Sequence, residues 1–220
     1  MGKKVLMLLT NGFRPDRRVA KEAELLVRNG YDVTVLAWDR ENAFPDRSVH
    51  MGVDIERVRA GRAGSTLSMV LFYPLYFIRS LLHGLRREVD IVHSHDFDTL
   101  VLGYLTAWFK RAPLVFDAHE NYAQMISLDV PAWVTRMVER LEGAFIRKAD
   151  VVITVSEVHA AHMRKDAWNG VVLVENCASL PEGISPPRFK GRELVLNYIG
   201  TLEPQRYIIC LLYTSDAADD

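Results

Sequence analysis

Short apolar runs alternate with helix-period segments along most of this chain, and that alternation restricts its fold more than any other feature. Residues 5–9 form a continuous apolar run, the pattern of a parallel strand covered on both faces. Asp16 can cap a helix that carries Val19, Ala23, Leu26 and Val27 on one stripe, with Gly30 ending it. Residues 33–37 predict a second strand. Residues 53–58, with charges interleaved, predict a third that lies at a sheet edge. Further strands are expected at 91–92, 114–116, 151–155 and 171–174, with a long helical region over 133–148. Repeated strand–helix alternation specifies an α/β fold: a doubly wound, mostly parallel, Rossmann-like sheet of six or seven strands over residues 3–180.

What stands after each strand locates the chemistry. The first strand is followed by Asn11 and Gly12, the fourth runs into His93-Ser94-His95-Asp96, and the fifth into Asp117-Ala118-His119-Glu120. Ser156-Glu157 and Glu175-Asn176 follow the last two. In a parallel sheet these ends share one edge, where ligands bind and helix N-termini favour anions. His119, between two acids, is the residue to single out; the alternative is a structural histidine at a strand end.

Several familiar chemistries do not fit. The first strand–loop–helix holds one glycine, Gly12, so the dinucleotide fingerprint is missing and Asp39 alone does not make a ribose site. No Walker motif occurs. His93 and His95 share one strand face, but Phe97 and Asp98 stand where a metallohydrolase pattern needs Asp and His. No metal is therefore expected, and these side chains read as hydrogen-bonded cleft residues. Asp98 reads as the cap of a helix beginning near Thr99, which makes its D-x-D spacing with Asp96 accidental. His159 and His162, one helical turn apart, read as a solvated face.

Composition narrows the setting. At 220 residues, 49% hydrophobic and 25% charged, the chain suits one domain plus a fragment. A formal charge of −1 gives no basic surface for nucleic acid. Cys177 and Cys210 are too few for a disulfide framework, and the N-terminus lacks a signal-peptide pattern, so a cytoplasmic location is expected. The apolar stretch 67–78 is too short to cross a bilayer, which takes roughly 20 residues. Over 67–87, with Arg79, His83, Arg86 and Arg87 at its end, it reads either as a buried core helix or as a peripheral membrane contact.

Residues 1–180 thus form an N-terminal domain, and the Pro- and Gly-rich segment 181–193 a linker. Residues 194–209 open a second strand–helix unit. Residues 210–220, CLLYTSDAADD, carry no continuing apolar period and resemble a translated sequencing adapter rather than native sequence.

The segments NGFRPDRRVAKEAELLVRNGYDVTVLA, DIVHSHDFDTL, LVFDAHENY, ADVVITVSE and NYIGTLEPQRY resemble, in order, those of family 4 glycosyltransferases. The resemblance covers nearly all of residues 3–209. It implies the first half of a two-domain GT-B architecture, an acceptor-side domain followed by the start of a donor-binding one. It also implies sugar transfer, with retention, from a nucleotide-diphosphate sugar to a glycan or lipid-linked acceptor, with no cofactor and no obligatory metal. Carried over, His119 is catalytic and Gly12, Gly200 and Arg206 approach the donor phosphates. Asn11, Arg14, His95, Asp96 and Glu120 line the acceptor side. Thr201 and Tyr207 depart from the family's arginine and second glycine. A sugar-nucleotide epimerase of the same architecture and a non-catalytic binding domain are the alternative readings, and the fragment alone is expected to be inactive.

Overall fold

The computed structural model describes residues 2–13, 16–119, 121–127 and 130–175. Arg14, Glu120, Asn176, Gly200, Arg206, the linker, the second unit and the tail lie outside the described residues. Among the described residues eight strands and six helices follow in order: β1 (Lys4–Leu9), α1 (Arg17–Arg28), β2 (Asp32–Trp38), β3 (Arg47–His50), β4 (Val53–Val58), α2 (Thr66–Leu85), β5 (Ile91–His95), α3 (Phe97–Lys110), β6 (Leu114–Ala118), α4 (Tyr122–Met125), α5 (Ala132–Ile146), β7 (Val151–Thr154), α6 (Glu157–Met163) and β8 (Val171–Leu173). They build one sheet in the order β3-β4-β2-β1-β5-β6-β7-β8, parallel throughout except for β3. The doubly wound, mostly parallel α/β fold is as expected from the alternation.

Two details differ from the sequence reading. The edge next to β4 is closed by β3, so β4 is an inner strand and the sheet has eight strands. β3 is mostly exposed and has one aliphatic residue, Val49, which leaves no period-2 signature. Its hairpin to β4 turns on Met51 (φ 50°) and Gly52 (φ 82°), the paired positive φ values of a tight two-residue turn. The second difference is at α3. It begins at Phe97 with Asp96 at the N-cap position, so Asp98 lies in the first turn and is not the cap.

Alternation along each inner strand feeds two cores. Val5, Met7 and Leu9 of β1, with Val33 and Val35 of β2, pack beneath Val19 and Ala23 of α1. Asp16 starts that helix as expected, accepting a hydrogen bond from the Val19 N–H. On the other face Leu6, Leu8, Leu36, Val92 and Phe116 pack against α2, α3, α5 and α6. Trp38 stacks on Tyr76 of α2 at 4.9 Å, and the Tyr76 hydroxyl donates to the Leu9 carbonyl at 2.9 Å.

α3 approaches β5 closely because Gly103 faces Ser94. A Cβ at Gly103 would lie 1.8 Å from Ser94 Oγ and 3.2 Å from Leu114 Cδ1. Gly103→Ala is expected to destabilise the domain by about 1–3 kcal/mol, the usual cost of overpacking. Ser94→Gly in the same chain should restore part of that loss, which denaturant unfolding of the single and double variants would measure.

α2 is two-sided. Tyr76 and Ser80 are fully buried, whereas Leu67, Val70, Leu71, Leu75, Ile78 and Leu82 are exposed along the opposite side, Leu67 to 81% and Leu71 to 69%. A helix buried in the core, the first of the two sequence readings, describes only half of it. No helix among the described residues is long and apolar enough to cross a membrane.

Candidate functional site

The strand order reverses direction between β1 and β5, since β1 leads outward to β2 on one side and β5 to β6 on the other. A crevice at the C-terminal ends of the strands is expected at such a switch point. The loop after β1 borders it on one side. Asn11 Oδ1 accepts from the Phe13 N–H at 2.8 Å, and Asn11 Nδ2 donates to Asp16 Oδ2 at 3.0 Å, so Asn11 braces the loop onto the start of α1. The Gly12 carbonyl accepts from Arg57 Nε at 3.1 Å, and a Cβ there would press on the Phe44 ring at 3.2 Å. Asp39 is engaged elsewhere: it accepts from the Phe44 N–H at 2.8 Å and pairs with Arg59 at 3.1 Å.

On the other side of the switch point, β5 and β6 hold a linked set of side chains. Register pairs His93 with Val115 and His95 with Asp117, and alternation puts His93, His95 and Asp117 on the face that α1 covers. His95 Nδ1 lies 3.1 Å from Asp117 Oδ2; the carboxylate can only accept, so the proton of this bond sits on Nδ1. His119, just beyond β6, brings Nε2 to 2.6 Å from the same oxygen, without the alignment of a good hydrogen bond. The His93 and His95 rings stack at 4.3 Å, and Glu22 of α1 reaches over them, 3.9 Å from His93 Nε2.

Burial and charge compete here. Burial favours the neutral acid at Asp117, but the imidazoles of His119 and His95 outweigh it and hold the carboxyl well below its usual range. Burial depresses His119, and the Asp117 carboxylate more than reverses this, raising it above the ordinary histidine value. Burial, then the neighbouring His95, pushes His93 down to about 3. Burial, reinforced by Asp117, pushes Glu22 up to about 7.

Asp96 adopts φ 62° and ψ 165°, a region essentially reserved for glycine, and donates its N–H to the Asp117 carbonyl at 2.9 Å. Asp98 is half-buried, taking a hydrogen bond from the Thr10 hydroxyl, while its carbonyl takes one from Tyr73. Burial pushes its carboxyl up to about 6.

The structure therefore brings Asp96, His95 and His119 together around Asp117. His95, 1% exposed, lies beneath the edge rather than on it. Asn11 and Gly12 sit in the loop after β1. Sequence reasoning passed over Asp117 as an anchor, Glu22 as its roof, and Arg18, whose charge acts on both His119 and Asp96. An H-x-H strand beside a D-x-H strand was the readable signal, but only the register couples the two.

A doubly wound sheet with its polar edge at this switch point is the Rossmann-like fold of GT-B glycosyltransferases, and solved structures agree. Sucrose-phosphate synthase from Thermosynechococcus elongatus superposes with a TM-score of 0.58 at 16% identity, covering 79% of this chain and 48% of that one. Glycyrrhiza uralensis UGT73P12, complexed with glycyrrhetinic acid 3-O-monoglucuronide, gives 0.56 at 11% identity over 80% of this chain and 49% of that one. A UDP-N-acetylglucosamine 2-epimerase gives 0.52 at 15% identity, over 79% and 48%. The chain thus spans about half the length of these proteins. No curated protein sequence matches it significantly. Residues 15–176 match the glycosyl transferase 4-like domain, and the chain belongs to that family.

Proposed function

We propose that this chain is the acceptor-side part of a retaining glycosyltransferase that moves a sugar from a nucleotide-diphosphate sugar to a glycan or lipid-linked acceptor. The observation that carries the reading is His119, held by Asp117 at the C-terminal edge beside the switch point. As the glycosidic bond to the donor breaks, the anomeric carbon gains oxocarbenium character and negative charge gathers on the departing diphosphate. An N–H of His119 would donate to the reacting sugar or to a diphosphate oxygen, with Arg18 and the Gly12 loop adding positive potential. A diphosphate oxygen takes the acceptor proton, so no side-chain nucleophile is required. Asp117, engaged by two imidazoles, is a positioning residue rather than one of a glycosidase carboxylate pair. Gly200 and Arg206, carried over from the family pattern, would complete the diphosphate clamp, with Arg14 and Glu120 on the acceptor side. The division at 181–193 and the adapter origin of 210–220 belong to the same proposal.

The exposed stripe of α2 supports a lipid-linked acceptor. Leu67, Leu71, Leu75, Ile78 and Leu82 recur at helical spacing, and the exposed Arg79, His83 and Arg86 cluster at its C-terminal end. Such a helix lies in a membrane interface, apolar side down, with the cations at anionic headgroups, which would hold the domain peripherally on the cytoplasmic leaflet.

The test uses the full-length parent with a panel of nucleotide sugars and membrane extract. Release of nucleoside diphosphate together with labelled lipid or glycan is the expected result, and the 220-residue chain alone should transfer nothing. Epimerisation of the sugar nucleotide without any acceptor would assign the epimerase reading instead. Binding to vesicles containing anionic lipid should weaken roughly tenfold in Leu71→Asn, the loss of one buried leucine. Unchanged vesicle binding in that variant would refute the membrane role of α2.

A further inference from the structure

Four side chains on the α1 side of the sheet converge with a single hydrogen bond among them. Glu22 comes from α1, His93 and His95 from β5, and Asp117 from β6, each offering one ligand atom, and these atoms lie within 4.8 Å of one another. Each residue also carries a buried polar atom with no hydrogen-bond partner among the described residues: Glu22 Oε2, His93 Nε2, His95 Nε2 and Asp117 Oδ1. His93, His95 and Asp117 are each more than nine-tenths buried. Unsatisfied buried polar atoms are costly, each on the order of 1–3 kcal/mol, and the facing pair Glu22 Oε2 and His93 Nε2, 3.9 Å apart, calls for a shared partner.

Among the described residues no donor lies within hydrogen-bond distance of these atoms. The described hydrogen bonds of the cluster end in the single contact of His95 Nδ1 with Asp117 Oδ2. A separation of 3.1 Å is also that of two neighbouring ligand atoms on one ion, with His95 Nδ1 giving up its proton to bind. We propose that Glu22, His93, His95 and Asp117 form a four-coordinate zinc site that pins α1 to β5 and β6 beneath the candidate active-site edge. Two imidazoles and two carboxylates suit Zn²⁺ better than the all-oxygen shells of magnesium or calcium. Ligand atoms around tetrahedral zinc sit about 3.3 Å apart, so side-chain rotations of about 1 Å close the shell. All four positions are filled by protein, which makes the ion structural; it shares Asp117 with His119, but its binding does not require the sugar-transfer reading. The sequence showed only His93 and His95 on one strand face, because the third and fourth ligands come from a separate helix and a neighbouring strand.

Titration of the untagged 220-residue chain with Co²⁺ after chelator treatment tests the site. One equivalent is expected to bind with the intense visible absorption of a four-coordinate centre, to be displaced by Zn²⁺, and to raise the melting temperature. Glu22→Gln keeps the shape of the roof residue but removes its anionic ligand, and should weaken Co²⁺ affinity at least about tenfold with the circular dichroism spectrum unchanged. His93→Gln should abolish the visible band. His162→Asn, on α6 outside the cluster, should leave affinity unaltered. A chain that shows neither band nor thermal shift would overturn the proposal and assign the four atoms to ordered water. Equal affinity in Glu22→Gln and the parent sequence would overturn it as well, by placing the ion elsewhere.

Discussion

Replacing His119 by alanine in the full-length parent is expected to lower kcat about a hundredfold, a loss on the order of 3 kcal/mol of transition-state stabilisation. The proposed role is a donor acting where charge develops, so KM for the nucleotide sugar should change far less than kcat. The obvious confound is structural. His119 is one of two imidazoles that offset the buried Asp117 carboxylate, and its removal leaves that charge less compensated. Melting temperature and donor affinity therefore have to be measured beside the rate. His119→Gln, which retains an N–H donor, should recover part of the turnover if hydrogen bonding is the contribution. A folded His119→Ala parent with full turnover toward its true acceptor would reduce His119 to a strand-end residue.

The second large effect concerns stability and pH, away from the site. Glu142 on α5 is 4% exposed, and its Oε1 has no hydrogen-bond partner among the described residues. Burial, then the nearby charges of Glu139 and Asp166, pushes its carboxyl from 4.5 up to about 7. Between those two values the folded state holds more protons than the unfolded state, so this group makes stability fall as pH rises across that window. Above about pH 7 the full penalty applies, about 3 kcal/mol for a shift of this size. Glu142→Gln has no charge to bury. It should raise the melting temperature by roughly 6–12 °C at pH 8 and have little effect at pH 4, below the unfolded value. Thermal unfolding of both chains at the two pH values decides it; equal shifts at both would show that the ionised form of Glu142 carries no penalty.

The readable parts of the fold were those with a one-dimensional signature. Buried parallel strands show up as apolar runs, as in β1 and β2, because both faces are covered. The start of α1 was readable because an N-cap acts within three residues, Asp16 on Val19. β3 was not readable, since a short exposed edge strand is held by backbone pairing and imposes nothing on side-chain polarity. The start of α3 was misplaced for a related reason: Asp96 stands at its N-cap in a backbone conformation that no local preference favours, and Asp98 was left to bond Thr10 across the crevice.

The same division holds for the candidate site. Which residues end the strands is a property of the sequence, so Asn11, Gly12, His95, Asp96 and His119 were nameable from strand-end position, and the resemblance to family 4 glycosyltransferases added their roles. Which of them touch is a property of register. His95 and Asp117 are 22 positions apart and meet because β5 and β6 align them, while Glu22 joins from a helix more than 70 residues earlier in the chain. Burial was equally out of reach, for His95 lies sealed under the edge whereas the apolar stripe of α2 faces outward. Apolar periodicity states that a helix has a face to cover, but only packing decides which neighbour covers it. Sequence alone determined the sheet, its polar edge and the residue types there; tertiary structure decided their partners, because ion pairs and burial depend on distances that the order of residues along a chain does not contain.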